Sequence, residues 1–470
     1  MNPSLSNSKK FGTFFLTLIC ISAAFNLRNL PMIAQYGIAS VLLYPLLAFC
    51  FLVPCGFACA ELSSGWPKAG GMYSWIKEAF GYKLGFLAVW LDWIINLIWF
   101  PIVLSFIVGT LAYLIEPDLA NNKSFMCFTM LSFLWLITFI NFFGIHFSGR
   151  LSSITALIGS LVPGFLLIFI GSAYFINNKI QAIANLMQPL GKHSIAYYSY
   201  ISGMILSFAG IEAAGLIGHS SQDLKQNYPR AIFISICIII SVSLLGSLAI
   251  ACVISPREIN LISSFIETFQ KYSKLTGLLW LAPIIAFLTI IGSVSSTNTW
   301  VACPTKSLMV AVIDNQLPKI LQYKNKKNSP ITLLLIQAIS STILISVFLW
   351  MPTVNASYWL LSALTSQLTL IMYILLFLSV ITLRKSQPDI KREHPIPGGK
   401  LGAYFICGLG IITCLAAIVI GFIPPEQLGK LNIKSYELFL ISGLLFSLSP
   451  ILFFNKKNKF ETNTLPDSIS

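Results

Sequence analysis

Of 470 residues, 56% are Ala, Val, Ile, Leu, Met, Phe, Trp, Tyr or Cys and only 10% are charged, against roughly 25% charged in an ordinary soluble domain. The 30 Lys and Arg and 16 Asp and Glu are too few to cover a water-soluble chain of this length. That excludes a soluble enzyme, a disordered chain and a nucleic-acid binder, and the net charge of +14 must be explained by where the cations fall.

Apolar runs of about 20 residues or more dominate the chain. Each is long enough to cross a bilayer as a helix, the one open structure that satisfies its own backbone in lipid. Twelve occur, at about 11–36, 38–60, 84–113, 125–144, 151–176, 196–218, 231–255, 276–302, 329–350, 356–383, 402–424 and 436–455. The first follows Lys9 and Lys10, but no cleavage site is evident, so it reads as an uncleaved span. The expected fold is all-α, with a cytoplasmic N-terminus at 1–10, one transmembrane domain at 11–455 and a short tail at 456–470.

Within the first run the chain reads Ile21-Ser-Ala-Ala-Phe-Asn-Leu-Arg-Asn-Leu-Pro31. A proline there removes a donor and crowds the carbonyl four residues back, so the ladder is expected to fail. Arg28 beside it is a charge inside the membrane, which costs at least ~2.5–3.5 kcal/mol at a helix centre. Glu61 closes the second run and reads as an interfacial residue near water. Asp92 follows Lys83 by nine residues and reads as hydrated or helix-paired in the inner third of its span. The sixth run carries Leu206-Ser-Phe-Ala-Gly-Ile-Glu-Ala-Ala-Gly215, where two glycines weaken the helix around Glu212. Glu437 sits at the outer edge of the last run.

With the N-terminus inside, 21 of the 30 Lys and Arg fall on cytoplasmic segments, 8 fall outside and Arg28 remains within a span. That bias places both ends in the cytoplasm and explains the +14 as topology and lipid contact. The ten cysteines lie in or beside apolar runs and read as small core residues. Cys55 and Cys59 share a helix face with no partner ligands, so no metal site is expected. His146, His193, His219 and His394 are scattered over four segments and offer no His–Cys pair for a membrane-embedded enzyme.

The interrupted first and sixth runs are five spans apart, an odd number, so two five-helix halves would be inverted relative to each other. Breaks at matching places in inverted halves point to a secondary transporter's binding site. Freed N–H groups attract a carboxylate and freed carbonyls an ammonium, which suits a zwitterionic amino acid.

Several spaced motifs carry a resemblance. Ala60-Glu-Leu-Ser-Ser-Gly-Trp-Pro-Lys-Ala-Gly-Gly-Met-Tyr-Ser-Trp-Ile-Lys-Glu-Ala-Phe-Gly81 resembles the loop after helix 2 in permeases of the amino acid–polyamine–organocation superfamily. Phe208-Ala-Gly-Ile-Glu212 and Asn227-Tyr-Pro-Arg230 resemble its helix 6 and following loop. Leu27-Arg-Asn-Leu-Pro31, Trp99-Phe-Pro101, Pro304-Thr-Lys306 and Pro395-Ile-Pro-Gly-Gly399 are similar to the glutamate:GABA antiporter branch.

The resemblance implies a five-plus-five inverted repeat with two extra helices, alternating access, and a multi-pass protein of a bacterial inner membrane. It implies substrate binding at Ser22, Ala23, Ala24, Phe25 and Asn26, with Arg28 about a turn beyond, and at Ser207, Phe208, Ala209, Gly210 and Ile211, with Glu212 beginning the second half. Arg28 either meets a substrate carboxylate or pairs with Glu212 or helix-end carbonyls. The tail is too short and polar for the C-terminal plug of the branch's acid-regulated members.

The leading expectation is exchange of glutamate, GABA or a related small amino acid, with no cofactor, no metal and no catalytic residue. Its partners are amino acid substrates, the lipid bilayer and, in a symporter, protons. A proton-coupled symporter and a non-transporting sensor of the same fold are the alternatives.

Overall fold

The longest helix, Tyr82–Ile115, is about 50 Å long at 1.5 Å per residue, well beyond the ~30 Å hydrocarbon core. Of its most apolar stretch 89% is buried, against 28% for Gly399–Gly421, so it stands at the centre of the bundle. The computed structural model describes residues 13–67, 71–143, 145–187, 196–212, 224–313, 318–327, 329–425 and 433–450. Among these residues the regular structure is entirely helical.

Nine helices of the described residues are long and apolar enough to cross a membrane. In chain order we name α1 (Thr13–Ala24), α2 (Leu30–Ala34), α3 (Gly37–Gly65), α4 (Met72–Phe80), α5 (Tyr82–Ile115), α6 (Lys123–Phe142), α7 (Ile145–Asn177), α8 (Lys179–Leu186), α9 (Ala196–Leu206) and α10 (Leu224–Val253). They continue as α11 (Ser264–Thr276), α12 (Leu281–Ile313), α13 (Ile331–Trp350), α14 (Val354–Ser386), α15 (Gly399–Gly421) and α16 (Ile433–Leu448). The apolar runs at 11–36, 196–218 and 436–455 hold shorter pieces, namely α1 with α2, α9 and α16. Large apolar side chains such as Leu42, Phe128, Trp350 and Leu401 point outward, as a lipid-facing surface requires.

Interior prolines are tolerated because neighbours cap what they free. Pro54 cannot donate to the carbonyl of Cys50, and Thr413 Oγ1 on α15 donates to that oxygen instead at 3.2 Å. Pro101 likewise frees the carbonyl of Leu97, which accepts from Ser341 Oγ on α13 at 3.3 Å. In lipid such substitute donors decide whether a proline can stay in a span.

Two boundaries differ from the sequence expectation. The segment between the runs at 231–255 and 276–302 contains α11, whose Phe265, Ile266, Phe269 and Tyr272 are buried. An amphipathic helix lying on the bundle is too polar to register as an apolar run. Gly277 then turns the chain at φ +74°, so α12 starts at Leu281 rather than 276 and runs eleven residues past 302.

The backbones of α7 and α12 meet at glycines. A Cβ on Gly292 would lie 2.6 Å from the Cα of Gly159, closer than real contacts permit. Gly292→Val is therefore expected to wedge the helices apart and to destabilise by about 1–3 kcal/mol. The midpoint of thermal unfolding in detergent should fall, while Gly408→Val, with nothing within 4 Å of the new Cβ, should leave it unchanged.

Candidate substrate site

The first apolar run breaks early. α1 ends at Ala24, and Asn26 is extended at φ −143°, ψ 125°. The Asn26 Oδ1 accepts from the Arg28 N–H at 3.2 Å, capping a short 3-10 turn over Leu27–Asn29 before α2 begins. The unwound stretch is thus shorter than the Ser22–Asn26 expected. Residues 22–24 remain helical in α1, and Pro31 sits in the first turn of α2, where its missing N–H costs nothing. The side chains of Ser22 and Ala23 lie outside the described set.

α9 ends at Leu206, and Ser207–Ile211 wind through tighter turns. Gly210 takes φ +111°, a conformation that disfavours any side chain. Its N–H donates to Glu212 Oε2 at 3.0 Å and to the Tyr373 hydroxyl at 3.2 Å. That hydroxyl donates in turn to the same carboxylate oxygen at 2.5 Å. Tyr373 on α14 and Glu212 together brace the break. The chain after Glu212 resumes its description only at α10.

Between the two breaks lies a cavity. Ala24, Phe25, Asn26 and Arg28 line one side, and Ser207, Ala209, Gly210 and Glu212 line another. Phe208 and Ile211 are not in its wall. Both are fully buried, with the Phe208 ring 4.7 Å from that of Tyr44, because an unwound turn can point only some of its side chains inward.

Arg28 is 7% exposed, and its guanidinium lies 5.0 Å from the centre of the Trp99 ring. Its side chain makes no hydrogen bond or salt bridge to the described residues, and its buried Nε is unpartnered. The expected alternative, a pairing with Glu212, is not formed. Asp92, read from sequence as a hydrated or helix-paired residue, instead stands in the cavity wall. Asn96, Trp99, Trp300, Thr365 and Thr369 complete much of the lining. Trp99 was marked only as part of a motif, and no signal in the sequence singled out Tyr373 or Thr369.

The amino acid permease family profile matches residues 11–446. The chain belongs to the amino acid permease family. This permease is therefore an integral, multi-pass membrane protein of the amino acid–polyamine–organocation superfamily. An uncharacterized transporter of Legionella pneumophila is 37% identical over 458 residues, covering 97% of this chain and 99% of the relative. A glutamate/gamma-aminobutyrate antiporter of Lactococcus lactis is 26% identical, covering 98% and 93%. A probable agmatine/putrescine antiporter of the same species is 23% identical, covering 96% of each.

The permease's two motif-rich loops meet away from the cavity. Glu61, expected near water, is 1% exposed. It takes Arg384 in a two-pronged pair at 2.6 and 2.5 Å, lies 3.3 Å from Arg392, and accepts from the Ile396 N–H at 2.8 Å. Arg392 also lies over Trp66, whose indole donates to Gln387 at 2.8 Å. The stretch at 60–81 is thereby fastened to the one at 395–399. Removing one partner of a buried ion pair costs about 3–5 kcal/mol. Glu61→Ala is expected to lower the detergent unfolding midpoint clearly, with Glu61→Gln intermediate because the amide still accepts from Ile396. Equal midpoints for all three proteins would show that the cluster does not hold the loops.

Proposed function

We propose that this permease is a secondary active transporter that exchanges amino acids by alternating access. The substrates favoured are GABA, glutamate or a related small amino acid. The observation that carries this reading is Arg28, a buried cation with no hydrogen-bond or ion-pair partner for its side chain among the described residues, lining a cavity between two helix breaks. An unpaired charge in such a place is costly, and a substrate carboxylate offsets it with two parallel charge-assisted bonds. The antiporter relatives support exchange over symport.

In this reading twelve spans form two inverted five-helix repeats plus two further helices, in a bacterial inner membrane with both termini cytoplasmic. Substrate binds at Ala24–Asn26, Arg28, Ser207, Ala209 and Gly210, with Ser22 and Ala23 on the same segment. Glu212 and Tyr373 brace the second break through the Gly210 N–H. Rocking of the broken helices against α5 and α12 then exposes the cavity to each side in turn.

Purified protein in liposomes loaded with one unlabelled amino acid at a time tests this. Uptake of labelled GABA or glutamate that depends on the internal amino acid is the expected result. Uptake driven by a proton gradient into empty liposomes would favour symport. Binding without flux for any amino acid would leave a sensor.

A further inference from the structure

Given that transport reading, we infer that Asp92 receives the substrate's ammonium group, so that the site selects ω-amino acids, with carboxylate and amine at opposite ends of a short chain. The cavity wall holds one cation and two carboxylates, Arg28, Asp92 and Glu212. Glu212 is already engaged, since its Oε2 accepts from both Gly210 and Tyr373. Asp92 is not. Among the described residues its carboxylate has no salt bridge, and its one hydrogen bond is a long contact of 3.5 Å from Asn96 Nδ2. That amide makes its better bond, 2.8 Å, to the Asp92 backbone carbonyl. Two opposite charges therefore face one cavity, each without an ion-pair partner among the described residues.

Their spacing sets the ligand. Asp92 and Trp99 are seven residues apart on α5, almost two full turns, so they share a face about 10 Å apart along the axis. The Arg28 guanidinium sits over the ring of Trp99, whose backbone is two turns along α5 from that of Asp92. Side chains reaching toward each other shorten the gap, and an α-amino acid, whose two charges are carried on adjacent carbons, reaches least far across it. A carboxylate and an ammonium separated by three or four methylenes reach further. Glutamate matches the length through its side-chain carboxylate. Its α-carboxylate then lies beside the ammonium and is repelled by Asp92, whereas GABA has no such group. The site thus favours GABA over glutamate at equal concentration.

Competition against labelled GABA uptake in liposomes tests this, using glycine, β-alanine, GABA, 5-aminovalerate and butyrate. In the unchanged protein, apparent affinity should rise at least tenfold from glycine to GABA. Butyrate, which lacks the amine, should compete at least tenfold more weakly than GABA. Asp92→Asn should lose at least tenfold for GABA, lose little for butyrate, and narrow the gap between GABA and glutamate. Butyrate or glycine competing as well as GABA in the unchanged protein would overturn the inference without any variant. So would Asp92→Asn retaining full GABA affinity. Exchange confined to α-amino acids would overturn it and leave the transport reading standing, whereas no exchange of any amino acid would remove both.

Discussion

Replacing Gly210 with leucine is expected to reduce transport to background while the protein still reaches the membrane. Three observations combine at this position. Its φ of +111° costs a residue with a side chain about 1–3 kcal/mol. Its N–H is shared by Glu212 and Tyr373, so a backbone that relaxes toward helix breaks the brace between α14 and the interrupted span. The residue also lines the cavity, where a leucyl group would occupy substrate space. Insertion and detergent chromatography report on folding, and uptake reports on the site. Normal uptake by Gly210→Leu would mean that this segment is only a packed turn.

Arg28→Lys is expected to weaken substrates selectively. The planar guanidinium gives a carboxylate two parallel bonds, which an ammonium cannot reproduce. Losing a hydrogen bond to a charged group is worth roughly 1.5–3 kcal/mol, or about ten- to a hundredfold in apparent affinity. GABA and glutamate, which can each place a distal carboxylate against Arg28, should lose most, and small neutral amino acids less. Competition constants across these substrates check it. Equal loss for all of them would mean that Arg28 serves only to pack α2 against Trp99 on α5.

The two breaks were legible because they disturb an otherwise uniform apolar signal. Arg28 and Glu212 are conspicuous in spans that are nearly free of charge, and each has a proline or glycine close by, Pro31 or Gly210. The exact limits were not legible. Pro31 marked the break but sits at the start of α2 rather than causing the failure at Phe25–Asn26. That Asp92 faces a cavity was not legible, because α5 is apolar on every face, which leaves no periodicity to say which side does. Glu61 was misread because its partner Arg384 is 323 residues away, and no local pattern reports such a pairing. The amphipathic α11 does not stand out as an apolar run, because a helix lying on the bundle needs only one apolar stripe.

The central claim is that the cavity between the broken helices is where substrate sits. It is tested most directly by a cysteine placed in its wall. Ala209 lines the cavity beside Gly210 and carries a side chain that cysteine nearly matches in size. In a background lacking the native cysteines, Ala209→Cys should react with a small water-soluble thiol reagent. Added GABA should slow that reaction in proportion to its apparent affinity for exchange, and an amino acid that does not exchange should leave the rate unchanged. Modification of Ala209→Cys at the same rate with and without saturating exchangeable substrate would contradict the account.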